Sequence, residues 1–273
     1  MTDLIEIAET KISNSNKLTV IAGLNVLEDD QLTFEVAEKL KKIIESQGNA
    51  FIFKVSFDKA NRSSVESYRG PGLKKGLEIF KELKKSGYQL ITDIHEISQA
   101  EKISEVIDII QIPAFLCRQT DLIKEACRAG KPLNIKKGQF LSPDQMKNII
   151  EKCNNFGNDQ VMLCERGTSF GYDNLIIDML GMSKLKSFNC PVVFDVTHSL
   201  QLPGQGKTAA GGRGDQAEYL AKAGVSLGIA GLFIEVHPNP EKALCDGPSA
   251  TPLHEFESLL EKVNAVDQAV KGL

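Results

Sequence analysis

The feature that most constrains this chain is a rhythm. Short apolar runs alternate with amphipathic stretches almost from end to end. The apolar runs lie at 18–22, 50–56, 89–93, 108–112, 132–136, 160–164, 192–196 and 231–236. Residues 34–45, 73–85, 143–152, 215–223 and 252–270 have apolar positions every three or four residues, the spacing of a helix with one buried face. Ser142-Pro143 opens one such stretch, and Gly87 and Gly130 close two others. Strands alternating with helices imply parallel βα units. Eight such units in 273 residues match the size and count of a (β/α)8 TIM barrel, typically about 250 residues. A doubly wound open sheet is the alternative, but no G-x-G-x-x-G follows the first strand and that fold usually has fewer strands. With no linker and no low-complexity segment, 1–273 reads as a single α/β barrel domain. Residues 1–17 form an N-terminal extension, in which 4–9 is expected to pair with 17–21 as a short β-hairpin.

A barrel makes a positional claim: reactive groups belong at the C-terminal ends of its strands. Those ends carry Asn25, Lys54, Asp93 with His95, Gln111, Lys136, Arg166, His198, and Glu235 with His237. Taken singly, such residues are as often solvated loop positions. Their coincidence over all the ends points to one shared site.

Residues 51–64, FIFKVSFDKANRSS, carry the clearest part of it. Alternate side chains on a strand face opposite ways, so Phe51, Phe53 and Val55 share an outer face while Ile52, Lys54 and Ser56 share an inner one. The loop adds Lys59, Asn61, Arg62, Ser63 and Ser64, with Arg69 and Gly70 close behind. An ammonium, a guanidinium fork and hydroxyls make a receptor for phosphate or carboxylate. Lys136 shares its inner face with Asn134, and Arg166 stands in register with Met162 and Cys164. Lys54, Lys59, Lys136 and Arg166 therefore converge on one rim. Salt bridges to Asp58 and Glu165 would account for one or two of them, leaving positive charge in the mouth.

The formal net charge is −4, which argues against a nucleic-acid binder. A local positive site in an acidic protein suits a small anion instead. The six cysteines include no C-x-x-C pair, and there is neither a signal peptide nor an apolar run long enough to span a bilayer. The chain reads as a reduced, cytoplasmic protein with no membrane partner. His198, Glu235 and Asp246 could bind a divalent metal, act as acid–base groups, or only tie loops together. Cys245 beside them reads as an inert buried thiol. The glycine-rich stretch 201–213 is a near miss for a P-loop. It is either a lid over the mouth, with Lys207 and Arg213 as extra phosphate contacts, or a plain surface loop.

One ordered series of motifs goes further: KANRSS at 59–64, TDIHE at 92–96, DIIQIPAFLCRQTDL at 108–122, NIKKGQF at 134–140 and ERGTSFGY at 165–172. FDVTHSLQLPG at 194–204, IEVHPNP at 234–240 and CDGPSA at 245–250 complete it. From about residue 21 onward the chain closely resembles the 3-deoxy-D-manno-octulosonate-8-phosphate synthases of lipopolysaccharide biosynthesis. The resemblance implies a homotetramer of (β/α)8 barrels that condenses phosphoenolpyruvate with D-arabinose 5-phosphate and water and releases inorganic phosphate. It assigns Lys54, Ser56, Lys59, Gln111, Ala114, Lys136 and Arg166 to phosphoenolpyruvate. Asn61, Arg62 and Ser63 fall to the sugar phosphate, with the arginine supplied across a subunit interface. Asp93, Gln201 and Glu235 complete the substrate-contacting set, and Asn25, Lys136, His198 and Asp246 are the catalytic group.

The metal-dependent class of that family has a cysteine where this chain has Asn25. Together with CDGPSA, this points to the metal-independent class, with no cofactor and no catalytic metal, and with Asn25 holding substrate or water. Two other readings stand beside it. One is the sibling 3-deoxy-D-arabino-heptulosonate-7-phosphate synthase, which uses erythrose 4-phosphate and has a K-P-R-T type loop where this chain has Lys59-Ala60-Asn61-Arg62-Ser63. The other is a non-catalytic barrel that binds sugar phosphates.

Overall fold

The structure is a computed structural model that describes residues 2–204 and 210–273. Two short antiparallel strands come first, β1 (Leu4–Ile7) and β2 (Thr10–Ser13). The barrel then begins with β3 (Thr19–Val26), α1 (Asp30–Ser46), β4 (Phe51–Ser56) and α2 (Gly72–Lys85). It continues through β5 (Leu90–Asp93), α3 (Ala100–Ser104), β6 (Ile109–Ile112), α4 (Thr120–Arg128), β7 (Leu133–Lys136) and α5 (Met146–Asn155). After β8 (Val161–Glu165), the small strands β9 (Thr168–Ser169) and β10 (Leu175–Ile176) precede α6 (Met179–Lys186). Then come β11 (Val192–Asp195), the short α7 (Val196–Ser199), and a paired β12 (Gln201–Leu202) and β13 (Gly211–Gly212). The chain closes with α8 (Ala217–Val225), β14 (Gly231–His237), β15 (Thr251–Pro252) and α9 (Leu253–Lys271).

The parallel strands are hydrogen-bonded in the order β11-β8-β7-β6-β5-β4-β3-β14, and β11 pairs β14 to close the ring. This is a (β/α)8 TIM barrel. No helix among the described residues is long and apolar enough to cross a membrane.

Strand alternation sorts the apolar residues into two layers. Val20, Phe53, Ile110, Leu133, Leu163 and Phe194 face the helices, which return Val36, Leu40, Phe80, Ile123 and Leu260. Ile21, Ile52, Ile91, Ile109, Met162, Val193 and Phe233 fill the lumen. Ile5, Ile7 and Ile12 join that inner cluster, so the N-terminal hairpin plugs the bottom of the barrel.

The hairpin does not have the expected partner. β1 pairs with 10–13, in the register Leu4↔Ser13 to Ile7↔Thr10, around a turn at Ala8-Glu9. Residues 17–21 are not free to pair, because the pairing of 19–23 with 231–235 closes β3 against β14: Thr19 N–H donates to the Ala230 carbonyl at 3.0 Å and Gly231 lies opposite Thr19. β3 also runs on past the expected end at residue 22. A register shift between Gly23 and Val26 lets it do so. Gly23 is required there: a Cβ would sit 1.9 Å from the Lys54 carbonyl oxygen.

Candidate active site

The polar strand ends meet in the upper lumen, and their partners are buried carboxylates that strand alternation aims inward. Lys54 Nζ lies 2.5 Å from Glu235 Oε1 and donates to the Asn25 carbonyl at 2.9 Å. Both side chains of this pair are almost completely buried. Burial pushes the Lys54 ammonium down to about 8, against the pull of Glu235. Burial pushes the Glu235 carboxyl up, but His198, Lys54, Lys59 and Lys136 outweigh it and hold it at about 2. At neutral pH both partners are therefore charged.

A second pair stands beside the first. Lys136 Nζ lies 2.5 Å from Asp195 Oδ2, 3.3 Å from His198 Nδ1 and 4.0 Å from the centre of the Phe233 ring. Asp195 Oδ2 is also 2.8 Å from His198 Nδ1, and its Oδ1 accepts the His198 backbone N–H at 3.0 Å, capping α7. Burial pushes the Asp195 carboxyl up, yet His198 and Lys136 hold it below the usual carboxylate range. On the third side, Ser56 Oγ donates to Asp93 and His95 Nε2 lies 3.1 Å from Asp93 Oδ2. Burial raises the Asp93 carboxyl, but Lys59, His95 and Lys54 together bring it well below its ordinary value.

Asn25, Glu235, Asp246 and His198 form the centre. The Asn25 amide donates through Nδ2 to Glu235 and, at 2.9 Å, to Asp246 Oδ2. His198 Nε2 faces the same carboxylates at 3.8 and 3.7 Å. One donor atom from each of His198, Glu235 and Asp246 falls within 4.8 Å of the others, the geometry of a candidate metal site. Asp246 is held there by a left-handed backbone, φ 50°.

The salt-bridge reading of the four cations thus accounts for two, but through other carboxylates than expected. Asp58 pairs with Arg69 at the surface, and Glu165 points out of the lumen toward Lys137. Among the described residues, Lys59 and Arg166 form no ion pair within 4 Å. Both are buried. Arg166 Nη2 donates to Gln201 Oε1 at 2.6 Å, and its Nη1 has no hydrogen-bond partner.

These two cations line a pair of adjoining cavities at the mouth. Lys59, Asn61, Asp93, Gln111, Ala114, Lys136, Arg166 and His198 line the first. Lys59, Asn61, Arg62, Ser63, Arg166, His198, Gln201 and Asp246 line the second. Asn25, Lys54, Ser56 and Glu235 line neither and are buried. Arg62 lines the second cavity of its own chain and donates to Cys245 Sγ. Burial pushes the Cys245 thiol up to about 12, which keeps it unreactive.

Arg213 is not in this group: its guanidinium donates to the Leu175 carbonyl at 3.1 Å, away from both cavities. Lys207 lies outside the described residues. The stretch containing them starts and ends as the β12–β13 pair, and Gly204 and Ala210 border the second cavity.

Asp195, Gln139 and Phe115 were not anticipated. Asp195 could have been, since it lies two residues after Val193 on the inward face of β11. Gln139 lines both cavities from a loop and Phe115 from a single 3-10 turn, Ala114–Leu116, where no periodicity marks an inward position.

Known proteins give a consistent match. The model of the DAHP synthetase I family matches residues 4–272. A "2-dehydro-3-deoxyphosphooctonate aldolase" of Glaesserella parasuis serovar 5 (strain SH0165) is 52% identical over 271 residues, 98% of this chain and 95% of that protein. Proteins of the same name from Pasteurella multocida (strain Pm70) and Shewanella halifaxensis (strain HAW-EB4) are 53% and 51% identical. Each alignment covers 98% of this chain, with 95% and 96% of the respective relative. The chain belongs to the DAHP synthetase I family.

Proposed function

We propose that this barrel is a 3-deoxy-D-manno-octulosonate-8-phosphate synthase, condensing phosphoenolpyruvate with D-arabinose 5-phosphate and water and releasing inorganic phosphate. The observation that carries the reading is the pair of buried cations Lys59 and Arg166, which form no ion pair within 4 Å among the described residues and are shared by two adjoining cavities. Two sugar-sized anions held side by side are what this condensation needs. The names of relatives slightly more than half identical over 98% of the chain support the same reaction.

In this reading Lys59, Gln111, Ala114, Lys136 and Arg166 hold phosphoenolpyruvate in the first cavity, over the support of Lys54 and Ser56. Asn61, Arg62 and Ser63 hold the sugar phosphate in the second, with Gln201 fixing Arg166. C3 of phosphoenolpyruvate attacks the sugar aldehyde carbon, whose oxygen takes up a proton. Water adds at the cationic C2 and loses a proton, and the resulting hemiketal phosphate releases phosphate by C–O cleavage to leave the ketone. Fixed charges supply most of the acceleration, because they are in place before charge develops. Lys136, Asp195 and His198 form the chain through which protons move, with Asp246 on the far side of the imidazole.

We read the site as metal-independent. His198, Glu235 and Asp246 could ligate a divalent ion, but the Asn25 amide already donates to both carboxylates. It serves in place of a cation, and no thiolate is present to raise affinity for a soft metal. The reaction belongs in the cytoplasm, consistent with six unpaired cysteines. Self-association as a homotetramer would give the exposed Phe170, Tyr172, Leu180 and Tyr219 a surface to bury against.

The test is a split between substrates. Arg62→Ala should raise KM for arabinose 5-phosphate and leave KM for phosphoenolpyruvate near its original value. Lys136→Ala should lower kcat by about 100-fold or more, the scale of losing one aligned electrostatic group. Near-normal turnover in Lys136→Ala would remove that residue from the chemistry.

A further inference from the structure

We propose that Lys137 and Glu165, which line neither cavity, are positioning residues that hold the loops presenting Lys136, Gln139 and Arg166 to bound phosphoenolpyruvate. The inference rests on the reading of Lys136 and Arg166 as ligands of that substrate.

On β7 and β8 the side chains alternate, so the residue after inward Lys136 and the residue before inward Arg166 both point into the strand–helix layer. Lys137 and Glu165 meet there, Nζ 3.5 Å from Oε1, with 1% and 0% of their side chains exposed. Two charges in such a place are expensive, and a well-packed apolar pair would usually be as stable or more so. Burial indeed pushes the Glu165 carboxyl above its ordinary value, despite Lys137 and two backbone N–H groups beside it. Mutual neutralisation alone does not account for the pair.

What it does, and apolar side chains cannot, is bind backbone. Lys137 Nζ donates to the Leu141 carbonyl at 3.3 Å and to Thr168 Oγ1 at 3.1 Å. It thereby spans the loop after β7 and the start of β9. Glu165 Oε1 accepts the N–H of Arg166 at 3.0 Å and of Gly167 at 2.7 Å. That turn needs holding, since Gly167 takes φ +99°. A bond from Ser169 N–H to the Gln139 carbonyl at 3.1 Å joins the two loops. The stem of Arg166 is thus fixed from below, and with it a guanidinium that no carboxylate holds.

The test uses Lys137→Met/Glu165→Met, which removes both charges and every loop contact but keeps the volume. Its Tm should equal or exceed that of the original protein. Its calorimetric Kd for phosphoenolpyruvate should rise about 10-fold or more, and kcat should fall too because Lys136 is displaced, by up to about the 100-fold that a small misplacement at a reactive centre costs. Thr168→Val, which removes one acceptor of Lys137 and leaves both charges, should give a smaller rise in Kd. A folded double variant with unchanged Kd overturns the inference. Should the double variant not fold, an unchanged Kd in Thr168→Val overturns it as well. If the unmodified protein binds phosphoenolpyruvate but consumes it with no sugar phosphate, the proposed reaction fails while the Kd comparison still decides the role of the pair.

Discussion

At the scale of single residues, the site is a balance of buried charges in which each carboxylate has an assigned donor. Asn25 is the sharpest case, because one amide serves two carboxylates. Asn25→Ala should destabilise the fold by about 1–3 kcal/mol, the cost of leaving buried polar partners unmatched, measurable by urea unfolding. Asp93 gives a pH signature. Its folded carboxyl lies well below the ordinary value, so it contributes stability above the unfolded pKa, about 3.9. That contribution is lost as pH falls through the folded value. The stability gap between the original protein and Asp93→Asn should therefore shrink below about pH 4. A gap independent of pH would mean that Lys59 and His95 do not hold this carboxylate. The sequence revealed the cations more readily than their partners. A lysine after an apolar run announces itself, whereas Asp195 and Glu235 sit inside runs and reveal themselves only through inward alternation.

At the scale of elements, alternation on the strands did most of the placing. It sent Phe51 and Phe53 to the helices and Ile52 and Lys54 to the lumen, as the pattern of 51–56 implies. The hairpin was mispaired because 17–21 is apolar enough for either role; only the closed ring, which needs β3 between β14 and β4, decides it. Since Ile12 is fully buried at the barrel bottom, Ile12→Ala should cost about 2–5 kcal/mol and leave both substrate KM values unchanged. Denaturant unfolding alongside steady-state kinetics checks this. Gly23 lies at the opposite pole of consequence. Any side chain there meets the Lys54 backbone, so Gly23→Ala should lose at least about 3 kcal/mol and also lower kcat, by displacing Lys54 from Glu235. A single 3-10 turn such as Ala114–Leu116 is too short to show such regularity, which is why Phe115 was not legible.

At the scale of the whole molecule, an acidic chain with net charge −4 carries a positive mouth. That field should attract doubly charged substrates, and salt should weaken it. Raising ionic strength from about 0.01 M to about 1 M shortens the screening length from about 30 Å to about 3 Å, and kcat/KM for phosphoenolpyruvate should fall steadily across that range. The central claim concerns which sugar phosphate completes the reaction, and Asn61, bordering both cavities, is the residue we propose favours the five-carbon aldehyde. The most direct measurement is phosphoenolpyruvate consumption after exhaustive chelation, with arabinose 5-phosphate or erythrose 4-phosphate as acceptor. Turnover with arabinose 5-phosphate alone, undiminished by chelation, is the expected result. Preference for erythrose 4-phosphate would contradict the proposed reaction, and activity only on restoring a divalent metal would contradict the role given to Asn25.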